Sequence, residues 1–464
     1  VNFPAVNPSL STLSGVNLSR RSLLLGGLAF GTTLALAACA PAKQSTSVAG
    51  VGIGGNGAIT GDVPARPTAF LRTSWSTDPF AEGSYSFLAP SAVGTGARTL
   101  LAAPVGPLHF AGEGTSSNAP ATTHGALESG RRAAGELADI PGTVLVIGAG
   151  LAGLAAARAL VDAGREVIVV EARDRTGGRA HTVPFGGAVA ELGPSWIHGV
   201  TDNPMTQLAT EAGVATIDFD YDNHVGGNAK GAAFIEELTE QAADADNAES
   251  RPLAELLPET LNAVQQWALS VEVSDEFGAD PSEIAMAALD EGEEMLGEDV
   301  VLEQGYSAIA DYLADGLDIR LNWVVSEIEY GADGATVYAA DGTALWADLA
   351  VVTLPVGVLR AGNVEFTPPL PSDKNDALDG LGSGLLDKLW LSFDEVFWDE
   401  EADVINWIDP ENPGLWPFWI NGYKLYGVPV LLTFNAGGIA RDLADWTDDE
   451  VVASAMEALT AMAG

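Results

Sequence analysis

The chain has 464 residues, 64 acidic and 21 basic side chains, a formal charge of −43 and one cysteine. Its length suits two or three domains at roughly 100–200 residues each, and at 47% hydrophobic and 18% charged it is not a disordered polyanion. The acid excess argues against a nucleic-acid partner, whose phosphates need Lys and Arg, and a single cysteine excludes a disulfide scaffold or multi-cysteine metal site, so no metal is expected.

Residues 1–39 contain no acidic side chain. Ser19-Arg20-Arg21-Ser22 opens an apolar stretch ending Leu36-Ala37-Ala38-Cys39. A charged pair, an apolar core and small residues before a cut site are the parts of a signal peptide. No run in the chain reaches the ~18–20 uninterrupted apolar residues of a membrane-spanning helix. The twin arginines resemble the export signal of already folded proteins. The Leu-Ala-Ala-Cys end resembles a bacterial lipobox, making Cys39 a lipidation site and a lipid anchor the only membrane link. The alternative is a signal cleaved nearby, with Cys39 inert. Residues 40–62, rich in Ser, Thr, Gly and Ala, read as a flexible linker.

Trp75 to Ser86 is a mixed aromatic and small-residue segment. A strand-like stretch at 108–111 runs into Gly112-Glu113-Gly114-Thr115-Ser116, and a helix is expected around 124–134. Thr143 to Ile147 is a short buried strand of the parallel-sheet kind. Gly148-Ala149-Gly150-Leu151-Ala152-Gly153 follows, then a helix over 154–163 and a second strand over 165–170 closed by Glu171. Gly148 permits the tight turn, Gly150 lets backbone approach a pyrophosphate, and Gly153 lets the helix pack on the strand. The helix N-terminus favours the anion, with Leu151 and Ala152 leading into it. Glu171, 23 residues after Gly148, is placed to accept from ribose hydroxyls. Arg173, Gly177, Gly178 and Arg179 follow, glycines for backbone approach to a flat ligand and arginines for phosphate oxygens.

Residues 202–300 are rich in Ala, Glu, Asp and Leu and read as several helices, with Asp290 to Glu294 as a solvated helix face. A helix is expected over 304–317, a strand over 318–330, and further strands at 336–338 and 347–353 with turns at Asp333-Gly334 and Asp341-Gly342. Residues 365–460 alternate apolar and polar, then turn helical.

The 171–179 stretch, with Glu191-Leu192-Gly193-Pro194-Ser195-Trp196-Ile197-His198-Gly199, resembles the flavin-dependent amine oxidases. That superfamily includes monoamine oxidases, polyamine and spermine oxidases, histone lysine demethylases and L-amino-acid oxidases. The resemblance covers about residues 64–464 and suits the polyamine-oxidase and demethylase side best. It implies an α/β (α+β) fold, a Rossmann-like FAD-binding domain interleaved with a substrate-binding domain of mixed sheet and helices. The expected division is signal 1–39, linker 40–62, a permuted segment 63–104, FAD-binding 105–200 and 303–364, and substrate-binding 201–302 and 365–464. Family members begin near the glycine motif and end with a second flavin-binding segment. Here the segment resembling that ending, from Trp75 through Glu113 to the 124–134 helix, comes first. Circular permutation is therefore expected, with Gly464 close in space to residues 64–67.

The resemblance also assigns roles. Gly112, Glu113, Thr122, Thr123, Ala172, Gly193, Pro194, Ser195, Trp196 and Val325 join the glycines, Glu171, Arg173 and Arg179 at the cofactor. Glu113 bonds the flavin ribityl or shapes the phosphate site, and Val325 meets adenine through backbone atoms. Lys388, one of five lysines, matches the lysine that the family places near the flavin N5 through a water, and burial would lower its pKa. Tyr85 walls the amine channel. Thr122 stands where some members carry a facing aromatic, and His198 and Trp196 line the channel mouth. Ser84 stands where monoamine oxidases carry the cysteine that bonds the flavin, so FAD is expected to be noncovalent. The resulting expectation is oxidation of a primary amine or polyamine to the imine and aldehyde, with O2 reduced to hydrogen peroxide. The alternatives are an L-amino-acid oxidase, or a non-catalytic permuted pseudoenzyme. Oligomeric state is left open.

Overall fold

The computed structural model describes residues 57–464; the stretch read as a signal, Cys39 and most of the stretch read as a linker lie outside them. Residues 57–62, the end of the segment read as a linker, dock on the substrate side: Ala58 is buried, and Thr60 N–H donates to Phe397 O at 2.8 Å.

Five parallel strands form the central sheet, in the order Ile319–Arg320, Val167–Val170, Val144–Ile147, Leu349–Val352, Leu108–Phe110. Parallel sheets are covered on both faces, and the two-residue alternation divides the covers. Val144 and Val146 pack with helices Thr123–Glu136, Leu151–Asp162 and Tyr306–Ala314, whereas Leu145 and Ile147 meet Ile328, Val337 and Ala347. The latter belong to a four-stranded sheet, Ala344–Ala347, Gly334–Ala339, Val325–Gly331 and Glu365–Thr367.

The expected strand over 318–330 is two strands. Ile319–Arg320 pairs with Val167–Val170, while Val325–Gly331 pairs with Gly334–Ala339. Between them Asn322 takes φ +58, a left-handed conformation that Asn tolerates. The chain can thus leave one sheet for the other, and Trp323 N–H donates to Glu171 O at 2.8 Å on the way. Likewise the 347–353 strand is the end of Ala344–Ala347 plus Leu349–Val352. The Asp341-Gly342 turn forms as expected, with Gly342 at φ +86 and Asp341 Oδ1 accepting from Thr343 N–H at 2.8 Å.

The second large sheet runs Ala69–Arg72, Leu386–Ser392, Val430–Ala436, Phe418–Asn421, Val404–Asn406, His224–Val225. On Leu386–Ser392 the even positions Leu386 and Trp390 join the core under the helical layer, and Leu389 and Leu391 pack against the last helix, Asp448–Ala463. Residues 201–302 supply that layer through Ala229–Ala243 and Ala263–Leu269, continued by a wide turn over Ser270–Ser274, whereas Pro204–Ala212 packs on Tyr306–Ala314 in the core beside the parallel sheet. Three strands lie within 201–302: Thr216–Phe219 and Asp299–Leu302 pair with each other, the latter also with Trp196–Ile197, and His224–Val225 edges the second large sheet.

The acidic run leaves Asp290, Glu293 and Glu294 exposed, but it is not a helix face. Met286–Asp290 is a short 3-10 turn, and the Glu291 side chain, 8% exposed, pairs with buried Arg98 at 2.7 Å. Residues 63–66 run beside the last helix, sharing a groove with its Asp449 to Ala461 face, and Arg66 meets Asp449 at 3.7 Å.

Candidate active site

Both sheets open on one cavity of about 620 Å³, within the range of small-molecule and cofactor sites. Every cofactor- or substrate-facing residue singled out in the sequence lines it except Gly153, which lies behind the wall. Cys39 is outside the described residues.

The glycine motif forms the floor between Val144–Ile147 and Leu151–Asp162. Gly148 has φ +103, and a Cβ there would sit 2.5 Å from Thr353 Oγ1. At Gly153 a Cβ would lie 1.9 Å from Gly148 O, so only glycine allows the helix to start so close to the strand. At Gly150 the nearest atom to such a Cβ is Gly177 O, at 4.0 Å. Its missing side chain therefore serves the cavity and not the protein's own packing. Glu171 closes the second strand, accepting from Ala149 N–H at 2.7 Å and Arg173 N–H at 2.9 Å. Each carboxylate oxygen keeps a lone pair for a ligand hydroxyl. An open glycine cradle at a helix N-terminus, with a carboxylate at the next strand end, fits the pyrophosphate and ribose of a dinucleotide.

The arginines are engaged by acids. Arg173 makes a forked pair with Asp78, 2.9 Å at both contacts, tying the 171–179 turn to the Trp75–Ser86 segment. The fork uses two of the five guanidinium N–H donors and leaves three for a phosphate on the cavity side. Arg179 Nη1 donates to Glu113 Oε1 and to Ser84 O, each at 2.9 Å. Burial by itself would raise the Glu113 carboxyl. Arg179, Arg98 and the Ser86 hydroxyl instead hold it below the ordinary carboxylate value.

Lys388 is 4% exposed and projects to the cavity side of its strand. Its Nζ donates to Gly193 O, to Ser195 Oγ at 2.6 Å and to Glu191 O at 3.3 Å, and sits 5.7 Å from the Trp196 ring centroid. The ammonium thus holds the 191–195 turn against the cavity. Burial pushes the Glu191 carboxyl up to about 7, with Tyr306 N–H, Lys388 and Thr182 opposing.

Tyr85 lines the cavity and its hydroxyl donates to Asp275 O. The Thr122 hydroxyl is used structurally: it caps helix Thr123–Glu136 by accepting from Gly125 N–H at 3.0 Å and donates to Ala119 O. Its wall position matches the expectation, but the hydroxyl is occupied by helix capping. Thr123 Oγ1 lies 3.2 Å from Tyr306 Oη. His198, its side chain 41% exposed, pairs with Asp299 at 3.1 Å and stacks near Trp196 and Tyr221. Val325 lies on the wall next to Trp323.

The structure adds residues that sequence reasoning missed. His124 is buried with no hydrogen-bond partner at Nε2. Burial, then the His198 charge, pushes its pKa down to about 4, so it stands neutral. Asp275, Glu276 and Phe434 also line the cavity. His124 follows Thr122-Thr123 directly and was legible as a neighbour of the motif. Asp275 and Glu276 carry no motif signal, since they reach the cavity only through packing of the helical layer.

The family model for flavin containing amine oxidoreductase matches residues 57–138, 151–262 and 229–464. The chain belongs to this family. It is 33% identical over 358 residues to polyamine oxidase 4 of Oryza sativa subsp. japonica, covering 69% of this chain and 73% of that protein. It is 32% identical to polyamine oxidase 2 of Arabidopsis thaliana, covering 66% and 69%. A lysine-specific histone demethylase 1 homolog 2 from rice is 33% identical over 65% of this chain and 43% of its own length. Among solved structures, wild-type putrescine oxidase bound to putrescine superposes with a TM-score of 0.52 at 22% identity, covering 69% of this chain and 80% of that one. The likeness extends to the FAD-binding fold. As a member of this family the chain is a flavin-containing amine oxidoreductase, and FAD is the cofactor the family implies.

Proposed function

We propose that this protein oxidises a primary amine or polyamine to the imine with noncovalently held FAD, the imine then hydrolysing to the aldehyde. Bound FAD supplies the two-electron acceptor, with O2 as terminal acceptor and hydrogen peroxide as product. The observation that carries this reading is the single cavity shared by the glycine cradle, Glu171 and Glu113 on one side and Lys388, Trp196 and Tyr85 on the other. Gly150 and Glu171 would hold the pyrophosphate and ribose, and Arg179 with Glu113 the ribityl and phosphate region. Lys388 orients the Gly193–Ser195 backbone beside the reacting atoms. The Tyr85 and Trp196 rings would guide the amine.

Two observations support the finer points. The chain's one cysteine is Cys39, and Ser84 Oγ is held between Leu386 O and Leu386 N–H at 2.9 Å each, which favours noncovalent FAD. Both cavity arginines singled out above, Arg173 and Arg179, are paired with acids, and the facing wall adds the acidic side chains Asp275 and Glu276. Such a wall attracts an ammonium and repels a carboxylate, favouring an amine over an L-amino acid.

We also infer that the family order is circularly permuted. The groove shared by residues 63–66 and the last helix supports it, because a family-order chain would join those elements. Export by the twin-arginine route, with Cys39 lipidated, is proposed from the sequence alone. Metabolic labelling with a fatty acid, in wild type and Cys39→Ser, tests it.

The decisive experiment is an absorbance spectrum of the signal-free protein, followed by anaerobic titration with spermine, putrescine, benzylamine and leucine. A flavin spectrum bleached by amines, with FAD released on denaturation, is expected. Bleaching by leucine alone would overturn the substrate class, and failure to take up FAD would overturn the reading altogether.

A further inference from the structure

The Glu113 carboxylate ends a chain of side chains that begins outside the cavity. Arg98, 1% exposed, lies on the short helix Ala97–Ala102 and faces two partners. Its Nε and Nη2 meet the two Glu291 oxygens at 2.7 and 2.9 Å, and Nη1 donates to Ser86 Oγ at 2.7 Å. Ser86 Oγ in turn lies 2.6 Å from Glu113 Oε2. A guanidinium can only donate. The Ser86 hydroxyl therefore accepts from Arg98 and gives its single proton to Glu113. Arg179 closes the chain on Oε1 at 2.9 Å, so charges alternate through Glu291, Arg98, Glu113 and Arg179.

We propose that Arg98 is a positioning residue for the cofactor: clamped by Glu291, it acts through Ser86 to keep Glu113 an ionised acceptor facing the cavity, and so links cofactor retention to docking of the helical layer. The inference rests on the FAD reading above. Glu291 follows the Met286–Asp290 turn of that layer, whereas Ser86 and Glu113 belong to the segment that lines the cofactor side. The fork matters because one planar group must meet two partners at once in fixed directions. Glu113 is buried, which by itself would raise its pKa, but the Arg179 and Arg98 charges and the Ser86 hydroxyl hold it down. The charged groups around it are Arg179 from the 177–179 turn, Arg98 with Glu291 behind it, and Arg132 of helix Thr123–Glu136. Arg132 reaches Thr115 Oγ1 at 3.1 Å and is itself paired with Glu136, which also holds His109.

The test is the FAD dissociation constant, read by flavin fluorescence from pH 5 to 8, for wild type, Ser86→Ala and the double variant Arg98→Met/Glu291→Leu. Ser86→Ala keeps both ion pairs and removes only the relay. The double variant removes a buried pair together, which avoids stranding one charge. Wild type is expected to hold FAD evenly across the range. Both variants should lose affinity toward acid, about tenfold for each unit that Glu113 rises into the window. Adding Glu113→Gln to Ser86→Ala should flatten the profile again. Melting curves of the FAD-free proteins at each pH separate this from unfolding. A flat profile in both variants, or a loss that tracks the melting curves, overturns the role of Arg98 while leaving the FAD reading intact. Wild type that takes up no FAD at any pH overturns both.

Discussion

Lys388 reaches the cavity because the pleat alternates: its neighbours Asp387 and Leu389 turn to the opposite face, where Asp387 accepts from Thr73 Oγ1 at 2.7 Å and Trp75 N–H at 3.0 Å. Lys388→Met is expected to slow flavin reduction by amine or its reoxidation, by roughly 10²-fold if a proton is handled there, with FAD still bound. Glu171→Ala should instead weaken FAD retention. Stopped-flow reduction and FAD titration of both variants separate the roles; loss of FAD alone in both would make Lys388 a structural tether of the 191–195 turn. Glu191 gives a stability prediction. Its carboxyl is raised in the folded state to about 7 from 4.5, so its stabilising contribution is complete below pH 4.5 and is lost as pH rises through 7. Glu191→Gln should therefore remove part of the decline in stability between pH 4.5 and 7, up to on the order of 3 kcal/mol. Denaturant melts of both proteins at pH 5 and 8 measure it, and identical declines would show that Glu191 ionises without penalty.

The strand–turn–helix element was largely legible, because each glycine answers a local steric demand. The expected helix 154–163 is Leu151–Asp162, opening three residues earlier directly after Gly150, and the strand 143–147 is Val144–Ile147. The three glycines should respond differently to alanine. Gly153→Ala meets backbone at 1.9 Å and should cost about 1–3 kcal/mol or prevent folding. Gly150→Ala meets nothing closer than 4.0 Å, so its melting temperature should stay near wild type while FAD affinity falls, since the new methyl occupies the cradle. Thermal melts with and without FAD check both; a destabilised, FAD-tight Gly150→Ala would contradict the cradle. The 318–330 segment was less legible. Its apolar pattern marks extended chain, but the switch between sheets depends on Asn322 and on which strand edge lies nearby.

At the scale of the molecule, the segment from Trp75 to the Thr123–Glu136 helix precedes the Val144–Ile147 strand, yet Leu108–Phe110 completes the parallel sheet beside Leu349–Val352. Sheet pairing depends on edges and register, not on the order of synthesis. A rearranged chain running from residue 143 to 464 and then from 63 to 138 through a short linker should therefore fold and bind FAD. Comparing its flavin spectrum and melting temperature with wild type tests the permutation. A rearranged chain that never folds, with several linker lengths, would count against it.

The sequence by itself marked the glycine-rich strand–turn–helix element, its Glu171, the family and many of the residues that line the cavity. Those signals are local: glycines at fixed spacing and an acid at a strand end mean the same thing wherever the chain later goes. Only the tertiary structure decided partners. Arg173 is held by Asp78, 95 residues away, and Arg98 by Glu291, 193 residues away. It also made Glu291 of the acidic run an internal anchor and brought Asp275 to the cavity wall. Ion pairs and buried acids are set by which distant surfaces meet, and a charge in sequence carries no mark of whether it will face water or another charge.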